Sequence, residues 1–115
     1  MPDSDTVVEV HAPRPGVMVV APKQDVDLSR SPELRNALRS AQDRSPGMLV
    51  VDLTDVGYMD SSGLATLVEA MRTAKSTGAP LVLAGMHAKV RAIFEIARLD
   101  QFFTIVDTVD DALAV

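Results

Sequence analysis

Two short, almost unbroken apolar runs, Met48-Leu49-Val50-Val51-Asp52-Leu53 and Leu81-Val82-Leu83-Ala84, flank a stretch with helical spacing. That alternation constrains the chain more than any other feature. A strand that is apolar along its length must be covered on both faces, as in a parallel sheet layered with helices. Parallel neighbours in turn require a crossover long enough to hold a helix. The intervening segment supplies one: from about Ser62 to Ser76, Leu64, Leu67, Val68 and Met71 share a face. Thr77-Gly78-Ala79-Pro80 stops it, with Gly just past the end and Pro beyond.

Further strand and helix signals lie on either side. After the polar stretch Ala21–Arg30, read as a loop, Ser31-Pro32 opens a helix with Ser as N-cap and Pro at its first position. Leu34, Ala37, Leu38 and Ala41 then recur at i, i+3, i+4, i+7 until Arg44-Ser45-Pro46-Gly47 ends the run. Val90, Ile93, Phe94 and Ala97 make a third stripe, followed by a short strand at Phe103–Val106 and a small helix, Val109–Leu113. At the start, strands Val7–His11 and Val17–Val20 are joined by Pro13-Arg14-Pro15-Gly16, a connection that only antiparallel neighbours can use. The predicted order is ββαβαβαβα: an α/β domain with a mixed sheet, an N-terminal antiparallel hairpin and packed helices. Residues 1–6 read as a flexible N-terminus and 7–115 as the single domain; 115 residues leave no room for a second.

Composition then narrows function. There are no cysteines, which removes disulfides, thiolate catalysis and cysteine-ligated metal sites together. Eleven Lys and Arg against sixteen Asp and Glu give a net charge of −5, without the basic footprint that phosphate backbones require. With one Tyr, three Phe and no Trp there is no base-stacking platform, so nucleic acid is not expected as a direct partner. The core must be aliphatic, with Phe94, Phe102 and Phe103 as its large rings and Met as gap-filler. No run approaches the roughly 18 apolar residues of a membrane span. The opening Met-Pro-Asp-Ser-Asp lacks the basic and apolar regions of a secretory signal, so a cytoplasmic location away from membranes is expected.

One segment departs from packing logic: Tyr58-Met59-Asp60-Ser61-Ser62-Gly63-Leu64, between the first apolar run and its helix. Loops that leave the carboxyl ends of strands are where α/β sheets place function, and the first turn of a helix has unpaired N–H groups. A cap by Asp60 or Ser61 explains part of it, but a cap does not need two hydroxyls and a Gly in succession. Ser61 or Ser62 as a hydrolase nucleophile lacks the first Gly of the G-x-S-x-G elbow. His11 reads as an edge residue and His87 as the start of a helix, so no base is at hand. Asp107, Asp110 and Asp111 cluster near the C-terminus, but the last two read as first-turn acids, not metal ligands. Phosphate-cradling glycine motifs are absent. No catalytic, metal or cofactor residue is expected, and the chain does not read as an enzyme.

Val50-Val51-Asp52-Leu53, Val56 and Met59-Asp60-Ser61-Ser62-Gly63-Leu64 resemble the signature of STAS domains of the anti-sigma factor antagonist family. The likeness covers nearly the whole chain. Asp25-Val26-Asp27-Leu28 with Ser31-Pro32-Glu33-Leu34-Arg35 is similar to the family's first loop and helix, and Gly85 with Val90–Leu99 to its later part. Gln24 stands where the family usually has Gly. The resemblance implies that Ser61, with Ser62 as second choice, is phosphorylated by an anti-sigma factor that is itself an ATP-dependent serine kinase. A phosphatase would reverse it. The unphosphorylated, monomeric protein would bind that kinase and so release a sigma factor. Asp25, Asp27, Asp60, Ser61, Ser62 and Gly63 would form the binding face, Asp25 meeting a basic group of the kinase and Asp60 orienting or capping. Free N–H groups at the helix start would accommodate the new charge. The alternative that the resemblance offers is a STAS subunit docked on a membrane lipid-transport ATPase.

Overall fold

The computed structural model describes residues 8–114, so the expectations for residues 1–6 and for Val7 lie outside it. Gly16 turns the chain at φ +84°, a conformation that costs glycine little, and this sets a two-residue turn at Pro15-Gly16. Strand β1 (Val8–Arg14) therefore runs three residues beyond the predicted end, and β2 (Val17–Pro22) two residues beyond its own. The two pair antiparallel as expected, with a register shift between His11 and Arg14. Strands β3 (Met48–Asp52), β4 (Leu81–Ala84) and β5 (Thr104–Val106) follow in parallel, and the sheet order is simply β1-β2-β3-β4-β5.

Parallel register places Val19, Val50 and Val82 in one row and Val20, Val51 and Leu83 in the next. Successive residues point to opposite faces, so these rows feed two separate cores. Val20, Val51 and Leu83 join the larger one, with Leu34 and Leu38 of α1 (Ser31–Asp43), Leu67 and Met71 of α2 (Ser61–Thr77), and Val90 and Phe94 of α3 (Ala88–Ile96). Val19, Val50 and Val82 pack on the other face with Ala112 of the short α4 (Val109–Leu113). The predicted α/β architecture and element order are both present.

Details of the helices differ from expectation. Ser31 is not the cap of α1: it is buried inside the first turn, and Arg30 holds the N-cap position without a side-chain bond. Asp27 does that work instead. Its carbonyl accepts from the N–H groups of Arg30 and Ser31, and its carboxylate from those of Ser29 and Arg30. On α2 the buried stripe is rotated from the predicted one. Gly63, Thr66, Leu67, Ala70, Met71 and Ala74 are buried, while Leu64 and Val68 are only half-buried. The rotation follows from α1 lying alongside: Arg35 and Arg39 reach Glu69, and the Gln42 amide donates to the Ala70 carbonyl. On α3, Val90 and Phe94 are buried, Ile93 is half-buried and Ala97 lies exposed past the helix end. Phe103 precedes β5 and stacks edge-on between Phe94 and Phe102, at 5.6 and 5.2 Å.

Leu67 is fully buried between α1 and the sheet. Leu67→Ala should cost about 2–5 kcal/mol through the cavity it leaves, read from the midpoint of denaturant unfolding. A loss below about 0.5 kcal/mol would contradict this placement, being what surface substitutions show.

Candidate functional site

Two loops leave the carboxyl ends of β2 and β3 and are stitched together by their backbones. The Val26 N–H donates to the Tyr58 carbonyl at 3.0 Å, and the Asp60 N–H donates to the Val26 carbonyl at 3.0 Å. Val26 and Met59 thus form a parallel bridge and are buried side by side. One residue earlier, Asp25 Oδ1 accepts from the Gly57 N–H at 2.9 Å. The first loop is therefore not free-standing, as its polar composition suggests. This stitching brings Asp25 and Asp27 to the same end of the sheet as Asp60, Ser61 and Ser62, more than thirty residues on.

Three short turns at this end share one pattern, an aspartate followed two residues later by a hydroxyl. Asp27 Oδ1 accepts from the Ser29 N–H at 3.0 Å and from its hydroxyl at 2.6 Å. Asp52 Oδ1 accepts from the Thr54 N–H at 3.0 Å and hydroxyl at 2.5 Å. Asp60 Oδ1 accepts from the Ser62 N–H at 2.9 Å, the Ser62 hydroxyl at 2.6 Å and the Gly63 N–H at 3.2 Å. Asp60 is thus the N-cap of α2, and the hydroxyl it holds is that of Ser62, not of Ser61 as the orienting role would require. The N–H groups of Ser62 and Gly63, expected to be free at the helix start, are taken by the same carboxylate.

Ser61 is the exception among these hydroxyls. It is exposed at the first position of α2, and among the described residues its hydroxyl has no hydrogen-bond partner. Ser62 is half-buried. Gly63, expected on the binding face, is buried: a Cβ there would meet Met59 Cγ at 2.5 Å and Val26 Cγ1 at 2.9 Å. Its lack of a side chain serves the fit of α2 against the loop bridge, an internal role and not an opening for another molecule.

Charge at the site is set by these bonds. The Ser62 hydroxyl holds the Asp60 carboxyl below the usual carboxylate range, helped by the Gly63 and Ser62 N–H groups and opposed by desolvation and by the nearby Asp27 charge. The Ser29 hydroxyl does the same for Asp27. Both acids are anions at neutral pH. Two apolar side chains that composition did not single out stand beside them, Leu28 at 75% exposure and Tyr58 at 43%. Leu28 sits between Asp27 and Ser29, in the middle of the turn that their hydrogen bonds close.

The remaining candidates lie elsewhere or are occupied. The ring of His87 bonds the Thr54 carbonyl, and His11 is exposed on the edge strand opposite Val19. Asp110 and Asp111 lie in the first turn of α4, where the Thr108 hydroxyl accepts from the Asp111 N–H. Among the described residues, no group of three His, Asp or Glu could hold a metal ion, and no helix is long and apolar enough to cross a membrane.

A family model described as STAS domain matches residues 11–112. The chain is 33% identical over 81 residues to the anti-sigma-B factor antagonist of Listeria monocytogenes, covering 70% of this chain and 71% of that one. An anti-sigma factor antagonist from Mycobacterium paratuberculosis superposes with a TM-score of 0.85 at 27% identity, over 93% of this chain and 90% of that one. The Bacillus cell fate determinant SpoIIAA in its phosphorylated form gives 0.72 at 16% identity, over 93% and 96%, a likeness of fold.

Gly63→Ala should destabilise by about 1–3 kcal/mol, because Val26 and Met59 must move from packed positions; urea unfolding measures it. Asp60→Ala should cost about 0.5–2 kcal/mol as a lost cap, whereas Asp60→Asn keeps an acceptor. Asp60 ionises more readily in the fold than in the unfolded chain. Its contribution is therefore complete above the ordinary Asp pKa of about 3.9 and is lost as pH falls through the lower folded value. The stability gap between wild type and Asp60→Asn should accordingly shrink in acid, as urea midpoints at a series of pH values would show.

Proposed function

The chain belongs to the STAS domain family, among its anti-sigma factor antagonists, and on that premise we propose that it is a binding protein switched by phosphorylation of Ser61. The observation that carries this reading is the exposed, uncommitted hydroxyl of Ser61 amid neighbours whose hydroxyls are tied to acids. The unphosphorylated chain binds an anti-sigma factor with serine-kinase activity and so frees a sigma factor in the cytoplasm. A phosphatase restores the hydroxyl. The chain is substrate and regulator, and the kinase brings the base and the nucleotide.

In the transfer, Ser61 Oγ attacks the γ-phosphorus of Mg-ATP and a new P–O bond forms. The bond from that phosphorus to the β,γ-bridging oxygen breaks, ADP departs, and the hydroxyl proton passes to the kinase's base. The group adds about −1.5 to −2 charge at a helix N-terminus, where the macrodipole favours it. Asp60 keeps its three bonds, so the helix start has no reason to rearrange. The partner meets a different surface. Burying a new anion beside Asp60 and Asp27 without matching cations costs several kcal/mol, and each 1.4 kcal/mol is about a tenfold loss in affinity. Asp25, Asp27, Ser62 and the exposed Leu28 and Tyr58 belong to the same contact face. A subunit docked on a membrane transport ATPase would present the same loops but would have no use for a free hydroxyl at Ser61.

Ser61→Ala should resist phosphorylation and bind the anti-sigma factor permanently. Ser61→Asp should bind at least about tenfold more weakly while keeping the wild-type circular dichroism spectrum, an acid being tolerated there. Calorimetric titration and intact-mass measurement after exposure to the kinase and Mg-ATP test both variants. Phosphate on Ser61→Ala at the wild-type rate would place the acceptor at another residue.

A further inference from the structure

We propose that Asp60 selects which of the two adjacent serines receives the phosphoryl group, by holding the Ser62 hydroxyl and leaving that of Ser61 free. This selection rests on the reading of the loop as a phosphoacceptor and adds a positioning residue to it. Nothing in the string Asp60-Ser61-Ser62 distinguishes the two hydroxyls chemically, since both are primary alcohols at the start of one helix. Their surroundings differ completely. Ser62 donates its hydroxyl to Asp60 Oδ1 at 2.6 Å and is half-buried; Ser61 is exposed and unpartnered among the described residues.

An acid bonded to a hydroxyl can act as its base, so occupation by itself does not exclude attack by Ser62. The geometry excludes it in the product. A phosphoester at Ser62 would retain no proton between its oxygen and Asp60 Oδ1, leaving two acceptors facing each other where a 2.6 Å hydrogen bond stood. The carboxylate is poorly placed to swing aside, because the same oxygen is bound by the N–H groups of Ser62 and Gly63. Retreat would uncap α2 and expose those donors. At Ser61 the same reaction with ATP forms the Oγ–phosphorus bond and releases ADP with all three Asp60 bonds intact. A hydrogen bond to a charged group carries enough free energy to bias the two sites by about tenfold or more.

Two measurements test this. The first needs no kinase: the Asp60 carboxyl is titrated by carbon NMR in the full chain. Ser62→Ala should raise its pKa towards the ordinary value and Ser61→Ala should leave it in place; an equal response to both variants, or none to Ser62→Ala, overturns the clasp. The second follows phosphate by tandem mass spectrometry after incubation with Mg-ATP and an extract of the cells that make the protein. Wild type should carry phosphate on Ser61, with Ser62 lower by about tenfold or more. Asp60→Ala should raise the Ser62 share at least about tenfold, and Asp60→Asn should preserve the preference for Ser61. Asp60→Gly repeats the test in a variant that keeps the helix start, glycine being well tolerated at an N-cap. An unchanged Ser62 share in Asp60→Gly, or similar rates at both serines of the wild type, overturns the selection alone. Phosphate on neither serine of the wild type overturns the phosphoacceptor reading, and the selection with it.

Discussion

Two backbone hydrogen bonds across the buried Val26–Met59 bridge hold the working end of this molecule together. Each loop alone is a polar segment with little apolar area to bury. Joined, they bury Val26, Val56 and Met59 against the helices and fix where α2 begins. Gly63 is the condition for that junction, because any larger residue would separate the helix from the bridge. The position of Ser61 is thus inherited from packing one layer below it. Its chemistry is ordinary; its placement is not.

A second regularity lies in how acids and hydroxyls are paired. Asp27, Asp52 and Asp60 each close a turn on a hydroxyl two residues on, satisfying backbone donors that the loops would otherwise leave unpaired. The turn at Asp52 and Thr54 packs against Gly85, whose φ of +76° and missing Cβ admit the Thr54 hydroxyl closely. Carboxylates that elsewhere would suggest catalysis are here the means by which irregular backbone is kept in one conformation. Their charge remains at the surface as a by-product, and it gives the loop end its acidic character.

Much of this was legible in the sequence. The apolar runs Met48–Leu53 and Leu81–Ala84 specified parallel strands, the three stripes located their helices, and Asp60-Ser61-Ser62-Gly63 marked the place where packing logic fails. Other features depended on contacts distant in the chain. The rotated face of α2 reflects α1 beside it, which periodicity within α2 cannot express. The displacement of Ser31 from the cap reflects Asp27, whose carboxylate reaches the helix start from outside the local Ser-Pro signal. Asp60 capping was one of two open possibilities, and only geometry shows that it takes the hydroxyl of Ser62. Gly63 is expected on the binding face, whereas the side chains it admits, Val26 and Met59, belong to the protein itself.

The register shift in β1 has a consequence for how the molecule coexists with its own copies. A parallel-rich sheet of five strands has two edges, and β5, with three residues, is too short to template another strand. β1 is long enough, with seven residues and Val10 exposed. Its irregularity between His11 and Arg14 breaks the even ladder of donors and acceptors, and Pro13, within it, supplies no N–H at all. The Arg14 guanidinium donates to the Leu113 carbonyl on α4 at 2.8 Å. An incoming strand would find only Val8–His11 in even register, and within it the Glu9 and His11 side chains prefer water. Among the described residues, the shifted register and Pro13 make the β1 edge a poor template for a further strand.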